Sequence, residues 1–417
     1  VPVSTDPRPR PAGFLTQERL MLYGVAICIV YVGLLTYTFV TRTWFVDPQG
    51  RGMAIDFITY WTSGFFVRAN GASGIYDIAH YKAAEVAAIG HDFDGFYSWL
   101  YPPTLLLLTA PLAMAPYLAA WLIWCLAGIV FVIAALRAIV PWRLAVPLCL
   151  AAPATLWCAV VGQNGFLTAA LMAGALGMLN RHPWIAGVLV GCLTYKPQFG
   201  VLFPIFLVLT GNVRAFAGAA AATLCLVALS AVVFGADVWS AFVGSLGSTS
   251  SGVLQGASAW AKLQSVYAIA FHVVGDAKAA LLVHAAFCGV LLGLLVWIWT
   301  RPTASPVKCA AFVGGAYLFT PYAYVYDAPM LCVGVALLAR DGLTRGFLPW
   351  DRRLLFTAWV APASFVVLDS LAAPLGAALI VGLAARRAIG EPAPQLVAPT
   401  DHVATRTNGD RSSSATA

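Results

Sequence analysis

The chain carries long apolar runs from near its start to near its end, and the first, residues 20–40, is long enough to cross a bilayer by itself, which takes about 20 apolar residues. Further runs cover 117–136, 144–160, 166–179, 185–195, 199–209, 215–234, 279–299, 310–320, 328–338, 354–368 and 371–385. Charge is scarce: 61% of the 417 residues are hydrophobic and 10% are charged, where a soluble domain has about 45–50% and about 25%. Too little polar surface remains for a water-soluble fold, a disulfide-rich secreted domain or a disordered chain. The expectation is an all-α polytopic membrane protein of about 12 transmembrane helices, multi-pass in the plasma or inner membrane.

The basic residues orient these runs. The net charge is +7, but Arg181, Arg214, Arg301, Lys308, Arg340, Arg345, Arg352, Arg353, Arg386 and Arg387 sit in short stretches between or after apolar runs. That is the pattern of cytoplasmic loops. A nucleic-acid partner needs its cations on one face, so none is expected. Arg8, Arg10 and Arg19 precede the first run, so both chain ends fall inside. That run is too long for a signal peptide and no small-residue cleavage site follows it, so it reads as a retained helix. Residues 1–18 and 390–417 are expected to be disordered cytoplasmic tails, flanking one membrane domain over 19–389. Residues 103–114 are apolar but too short to cross, and the charge rule favours a re-entrant segment.

Residues 41–101 form the first extracytoplasmic loop on this reading. They hold Asp47, Asp56, Asp77, Glu85, Asp92 and Asp94, six of the 17 acidic residues. Helices lying along the membrane surface are expected near 57–69 and 75–89.

Polar groups at membrane depth are costly, so each is a functional candidate. Those of this chain fall on one side of the expected topology. They are Asp56 with Tyr60 and Trp61, then Tyr101, Gln163 with Asn164, Lys196 with Gln198, Lys262, His272, and Tyr326 with Asp327. Each has a plainer reading. Asp56 and Asp327 open helices and suit N-caps. Lys196 suits a snorkelling interfacial cation, Gln163 and Asn164 a tight turn, the Tyr residues an aromatic belt, and His272 a loop histidine. Together they supply a carboxylate, cations, amides and aromatic rings. That inventory suits transfer of a sugar from a lipid-linked phosphate, with a carboxylate as general base and a lysine stabilising the departing phosphate. No Gly-rich nucleotide loop is present.

The nine Cys residues include no C-x-x-C pair and read as packing residues, and the six His lack H-E-x-x-H spacing. Asp92 and Asp94 have the D-x-D spacing of a divalent-ion site, but read as solvated loop acids. No metal and no cofactor is expected.

The ordered motifs resemble glycosyltransferase family 87, the polyprenyl-phosphate-mannose-dependent mannosyltransferase-like membrane proteins. They are Asp56-Phe-x-x-Tyr60-Trp61 with Gly64, Ala72-x-x-x-Tyr76-Asp77, Tyr101-Pro-Pro, Gly162-Gln-Asn, Arg181-x-Pro183, Lys196-Pro-Gln and Pro321-x-x-x-x-Tyr326-Asp. The resemblance implies a GT-C-like fold with its active site at the extracytoplasmic face. It implies transfer of a sugar, most commonly mannose, from a polyprenyl-phosphate donor to a glycolipid or glycan acceptor, usually with inversion. Asp56 matches the family's general base, and Gln163, Asn164 and Lys196 fall on donor-site motifs. Lys262 and His272 are candidate phosphate contacts that no motif fixes. The alternative is a transporter or flippase of a lipid-linked precursor. Polar clusters crowded at one face, not at a midplane between repeats, weigh against it.

Overall fold

In the computed structural model, residues 17–95, 97–254 and 262–390 are described. Most of the two expected tails, and Trp260 beside Lys262, lie outside them. The described chain is helical, with two isolated bridges, Val46 with Gly52 and Leu263 with Tyr324. The first helix, α1 (Gln17–Val40), begins two residues inside the stretch expected as tail.

Five helical stretches are long and apolar enough to cross a membrane: Met21–Val40, Tyr117–Leu136, Val213–Phe234, Ala277–Thr300 and Asp351–Gly390. Trp142–Leu150 and Pro153–Val161 form a sixth if taken as one span bent by 56°. Pro153 opens the second half, and a proline disfavours helical geometry in the residue before it. The count of about 12 is not reached by this measure. The other expected crossings are short helices such as Gly165–Met178, Pro183–Gly191 and Phe203–Leu209. Non-spanning helices are tolerated at membrane depth where protein surrounds them. Ser305–Phe319 illustrates this, with eleven of its 15 residues buried.

Small residues let the helices approach closely. A Cβ on Gly187 would lie 2.3 Å from the Ala215 carbonyl oxygen, and one on Gly191 would lie 2.6 Å from Ala222 Cβ. These two glycines, four apart, seat Pro183–Gly191 against Val213–Phe234. Gly314 packs in the same way on Ala377. By contrast α1 is almost bare, with 6% of its spanning window buried. It leans on the helix Trp142–Leu150, where a Cβ on Gly24 would come 2.8 Å from Pro147 Cβ.

The first loop differs from the surface arrangement expected. Its helices are α2 (Ile58–Asn70) and α3 (Ile78–Ile89). The first half of α2 is buried on every side, through Ile58, Thr59, Tyr60, Trp61, Thr62, Ser63 and Gly64. Residues 103–114, expected to be re-entrant, form three short helical pieces, Pro103–Leu105, Leu106–Thr109 and Ala110–Met114. They cover α2 so closely that a Cβ on Gly64 would lie 2.0 Å from the Ala110 carbonyl oxygen.

Tyr117–Leu136, Gly165–Met178 and Leu331–Arg345 each start among the polar motifs and end at or just before a basic residue, Arg137, Arg181 and Arg345. The basic end is fastened by buried ions. Arg387 bonds both Asp341 and Asp351 and donates to the Gly346 carbonyl at 3.1 Å. Asp341 and Asp351 are each 1% exposed and Arg387 7%. The pairing brings Asp351–Val360 and Ala372–Gly390 back together as the expected last hairpin. Removing Arg387 leaves Asp341 with only Arg345 and Asp351 with only Arg386, both more exposed partners, and taking the central ion out of a buried network costs up to about 3–5 kcal/mol. Arg387→Ala is therefore expected to lower the melting temperature of the detergent-purified protein sharply. Arg386→Ala, whose side chain is 39% exposed, is expected to change it little.

Candidate functional site

The polar motifs meet because three backbone segments are wedged together. Gly162 ends the helix Pro153–Val161 with φ +69°, a left-handed conformation that glycine adopts without penalty. A Cβ there would come 2.6 Å from Phe57 Cβ. The Phe57 N–H donates to the Val161 carbonyl at 3.0 Å, so the Asp56 segment is tied to this turn. On the other side a Cβ on Gly165 would lie 1.7 Å from the Tyr326 carbonyl oxygen. The Gly162–Gly165 turn thus sits between Asp56-Phe57 and Tyr326-Asp327.

Asp56 does not cap α2: the N-cap position is Phe57 and no side chain caps the helix. Its carboxylate Oδ1 accepts from Lys262 Nζ at 3.0 Å and its Oδ2 from Gln163 Nε2 at 3.3 Å. Gln163 is oriented in turn, since its Oε1 accepts from the Tyr60 hydroxyl and from the Tyr101 hydroxyl at 3.1 Å. The two hydroxyls are 2.7 Å apart. Burial pushes both phenols well above their ordinary pKa, so they remain protonated donors. A carboxylate, an amide and two phenols therefore form one chain, with Lys262 at its open end. The Asp56 side chain is 12% exposed and that of Lys262 37%.

Lys196 and Asp327 form a second, drier unit. Their side chains are 4% and 0% exposed, and Nζ lies 2.5 Å from Oδ1. Lys196 does not snorkel outward. It follows the short helical turn Cys192–Tyr195 and precedes Pro197–Gly200. Its ammonium also lies over the Tyr326 ring, 5.4 Å from the centroid. Asp327 does act as a cap, accepting from the Tyr324 N–H at 3.1 Å. The rings of Tyr324 and Tyr326 stack at 5.0 Å with 6° between their planes.

Asn164 is 1% exposed, and neither its Oδ1 nor its Nδ2 has a hydrogen-bond partner. Buried polar atoms are almost always paired, so this amide has capacity for a ligand. Trp61 is spent on packing: its indole donates to the Ala115 carbonyl at 2.8 Å. Gln198 is half-buried on Pro197–Gly200. His272 lies against the C-terminal hairpin, with Nδ1 3.3 Å from Ser370 Oγ and Nε2 3.9 Å from Asp369. Asp92 and Asp94 are both exposed. Among the described residues, no group of three or more His, Cys, Asp or Glu gathers as metal ligands would.

Sequence reading did not anticipate what holds Lys262. The Gln264 N–H donates to the Ala323 carbonyl at 2.7 Å, beside the Leu263–Tyr324 bridge. The Gln264 side chain donates to the Asp369 carbonyl at 2.7 Å and accepts from the Ala373 N–H at 3.1 Å. The C-terminal hairpin thereby braces the segment that brings Lys262 to Asp56. No local pattern in residues 262–264 signals this.

The sequence model described as glycosyltransferase family 87 matches residues 99–321. That is more than half of the chain, and the chain belongs to this family. It is accordingly a membrane glycosyltransferase. No curated protein and no solved structure matches it. Asp56 and Asp327 lie outside the matched residues and join them through the Gln163, Lys262 and Lys196 contacts. Lys196→Met is expected to cost about 3–5 kcal/mol of stability by leaving the Asp327 carboxyl buried without its counter-charge. The double change Lys196→Met with Asp327→Leu is expected to recover most of it, as read by thermal unfolding in detergent.

Proposed function

We propose that this family 87 glycosyltransferase moves a sugar, most readily mannose, from a polyprenyl-phosphate donor to a hydroxyl of a glycolipid or glycan at the extracytoplasmic face, with Asp56 as general base. The observation that carries this reading is the contrast between the two carboxylates. Asp327 is fully buried and paired with Lys196, whereas Asp56 keeps a partly open edge beside a partly exposed lysine. A general base has to reach the proton it removes, which favours Asp56, at 12% side-chain exposure, over Asp327 at 0%.

In this reading the acceptor oxygen attacks the anomeric carbon as the bond from that carbon to the phosphate oxygen breaks, inverting the centre. The acceptor proton passes to Asp56. Negative charge grows on the departing lipid phosphate, and Lys262 is the ammonium nearest to the open edge that can meet it. Donor binding draws Lys262 from Asp56 toward phosphate and leaves the carboxylate Oδ1 free. Gln163, held by Tyr60 and Tyr101, keeps the carboxylate aimed. Asn164 offers its Nδ2 as donor and its Oδ1 as acceptor to sugar hydroxyls, and the stacked Tyr324–Tyr326 pair offers aromatic surface for a sugar ring. Lys196 and Asp327 hold that pair in place.

The segregation of the basic loops at the opposite ends of three helices supports an extracytoplasmic site, because cytoplasmic loops carry the positive excess.

The test compares cell-envelope glycolipids and glycans by mass spectrometry in three strains. One lacks the gene, one carries the wild type and one carries Asp56→Asn at matched expression. The expected result is a product one pentose or hexose smaller, accumulating in the deletion and in Asp56→Asn. Losing a general base costs about 10²–10⁴-fold in rate, enough for the two profiles to coincide. Three identical profiles would remove the reading.

A further inference from the structure

Glu85 on α3 is 0% exposed, and neither of its carboxyl oxygens has a hydrogen-bond partner. It belongs to neither charged unit of the site. A carboxylate buried without a partner is strongly disfavoured, and the group answers by holding its proton.

Its surroundings connect it to Asp56. The Tyr81 hydroxyl, one helical turn earlier on α3, donates to the Thr59 carbonyl at 2.5 Å. The Thr59 hydroxyl donates to the Tyr97 carbonyl at 3.2 Å, and the Tyr97 hydroxyl to the Ala54 carbonyl at 3.0 Å. These bonds clasp the backbone on both sides of Asp56, at Ala54 and at Thr59. The Thr59 hydroxyl and the Tyr97 N–H face the Glu85 carboxyl, as does Lys82. Lys82 directs its ammonium to the Phe93 and Gly95 carbonyls, at 2.6 and 2.7 Å. Tyr81 of α3 and Tyr117, from the helix Tyr117–Leu136, also stand within its field. Tyr97 and Tyr117 stand between Glu85 and Asp56 in electrostatic terms, close enough to sense either carboxyl when it is ionised.

We propose that Glu85 is a positioning residue that works as a neutral acid: its protonated carboxyl completes the Tyr81–Thr59–Tyr97 clasp that fixes Asp56, and its ionisation loosens the clasp and lowers sugar transfer. This rests on the function proposed above. Burial raises the Glu85 pKa from 4.5 to about 8, against weaker lowering by the Tyr97 N–H, Lys82 and Thr59. The folded protein therefore holds this proton more tightly than the unfolded chain. The stabilisation is fully present below the ordinary carboxyl value and is lost as pH rises through about 8.

The test uses the full chain purified in detergent, as wild type and as Glu85→Gln, the neutral isostere, which keeps the fold. Two measurements are made across pH: sugar transfer from a polyprenyl-phosphate sugar, and the infrared band of protonated carboxyl groups. Wild-type kcat is expected to fall about tenfold from about pH 7 to about pH 9, as one proton with a pKa near 8 is lost. Glu85→Gln is expected to stay active and to lack that alkaline limb. A carboxylic-acid band present in wild type at neutral pH is expected to fade above about pH 8 and to be missing in Glu85→Gln. Superimposable transfer profiles, or identical infrared bands, overturn the proposal. If neither protein transfers sugar, the function reading fails. Melting temperature against pH then decides for Glu85, with a fall in wild type as pH rises from 4.5 to about 8 that Glu85→Gln lacks as support and parallel curves as refutation.

Discussion

A charge carried into an apolar helix bundle has to find its counter-charge inside, because neither water nor lipid will solvate it there. Lys196 and Asp327 meet that condition together, at 4% and 0% side-chain exposure. Their pairing fixes more than two side chains. It sets the start of the helix Leu331–Arg345 and holds the Tyr326 ring under the Lys196 ammonium. The Tyr326 carbonyl in turn leaves room at Gly165 for hydrogen alone. The turn carrying Gln163 and Asn164 is thereby wedged against Phe57, and Gln163 reaches Asp56. The more open carboxylate, Asp56, thus depends on a more deeply buried ion pair that reaches it through a chain of packed backbone.

The same constraint operates at the other end of the molecule with a different result. Arg387 lies between Asp341 and Asp351 and closes the last hairpin. That hairpin is not remote from the chemistry. Its turn and the start of its return helix hold Gln264 through Asp369 and Ala373, two residues from Lys262. Ion pairs at the basic end and hydrogen bonds at the polar end thus place one cation beside Asp56.

Several features were legible in the sequence because they rest on local composition. Apolar runs and scarce charge identify a helical membrane chain. The helix Tyr117–Leu136 has the bounds its apolar run suggests. The ordered motifs pointed to the family that residues 99–321 match. Asp56, Gln163, Tyr60 and Tyr101 were all candidates, and they share one network. Other features were not legible, because hydropathy reports how apolar a segment is and not what surrounds it. The run at 57–69 reads as an interfacial helix, yet the first half of α2 is buried, with residues 103–114 against one side and α3 and the helix Tyr117–Leu136 against others. Runs of 10–15 residues read as crossings, yet form helices such as Pro183–Gly191 and Phe203–Leu209 that are too short to span alone.

The sequence by itself determined the solvent of this protein, the separation of basic from polar ends and the identity of the family, since each follows from residue type and order along the chain. Tertiary structure alone decided which acid is open and which is sealed. Asp56 and Asp327 both precede helical segments and both suit caps. Only packing gives one to Lys196 at 4% and 0% side-chain exposure and leaves the other, at 12%, beside the more exposed Lys262. It also decided that Glu85, one acid among six in a polar loop, is buried beside Thr59 and Tyr97 without an ion-pair partner. Burial is a property of neighbours distant in sequence, and no local pattern encodes it.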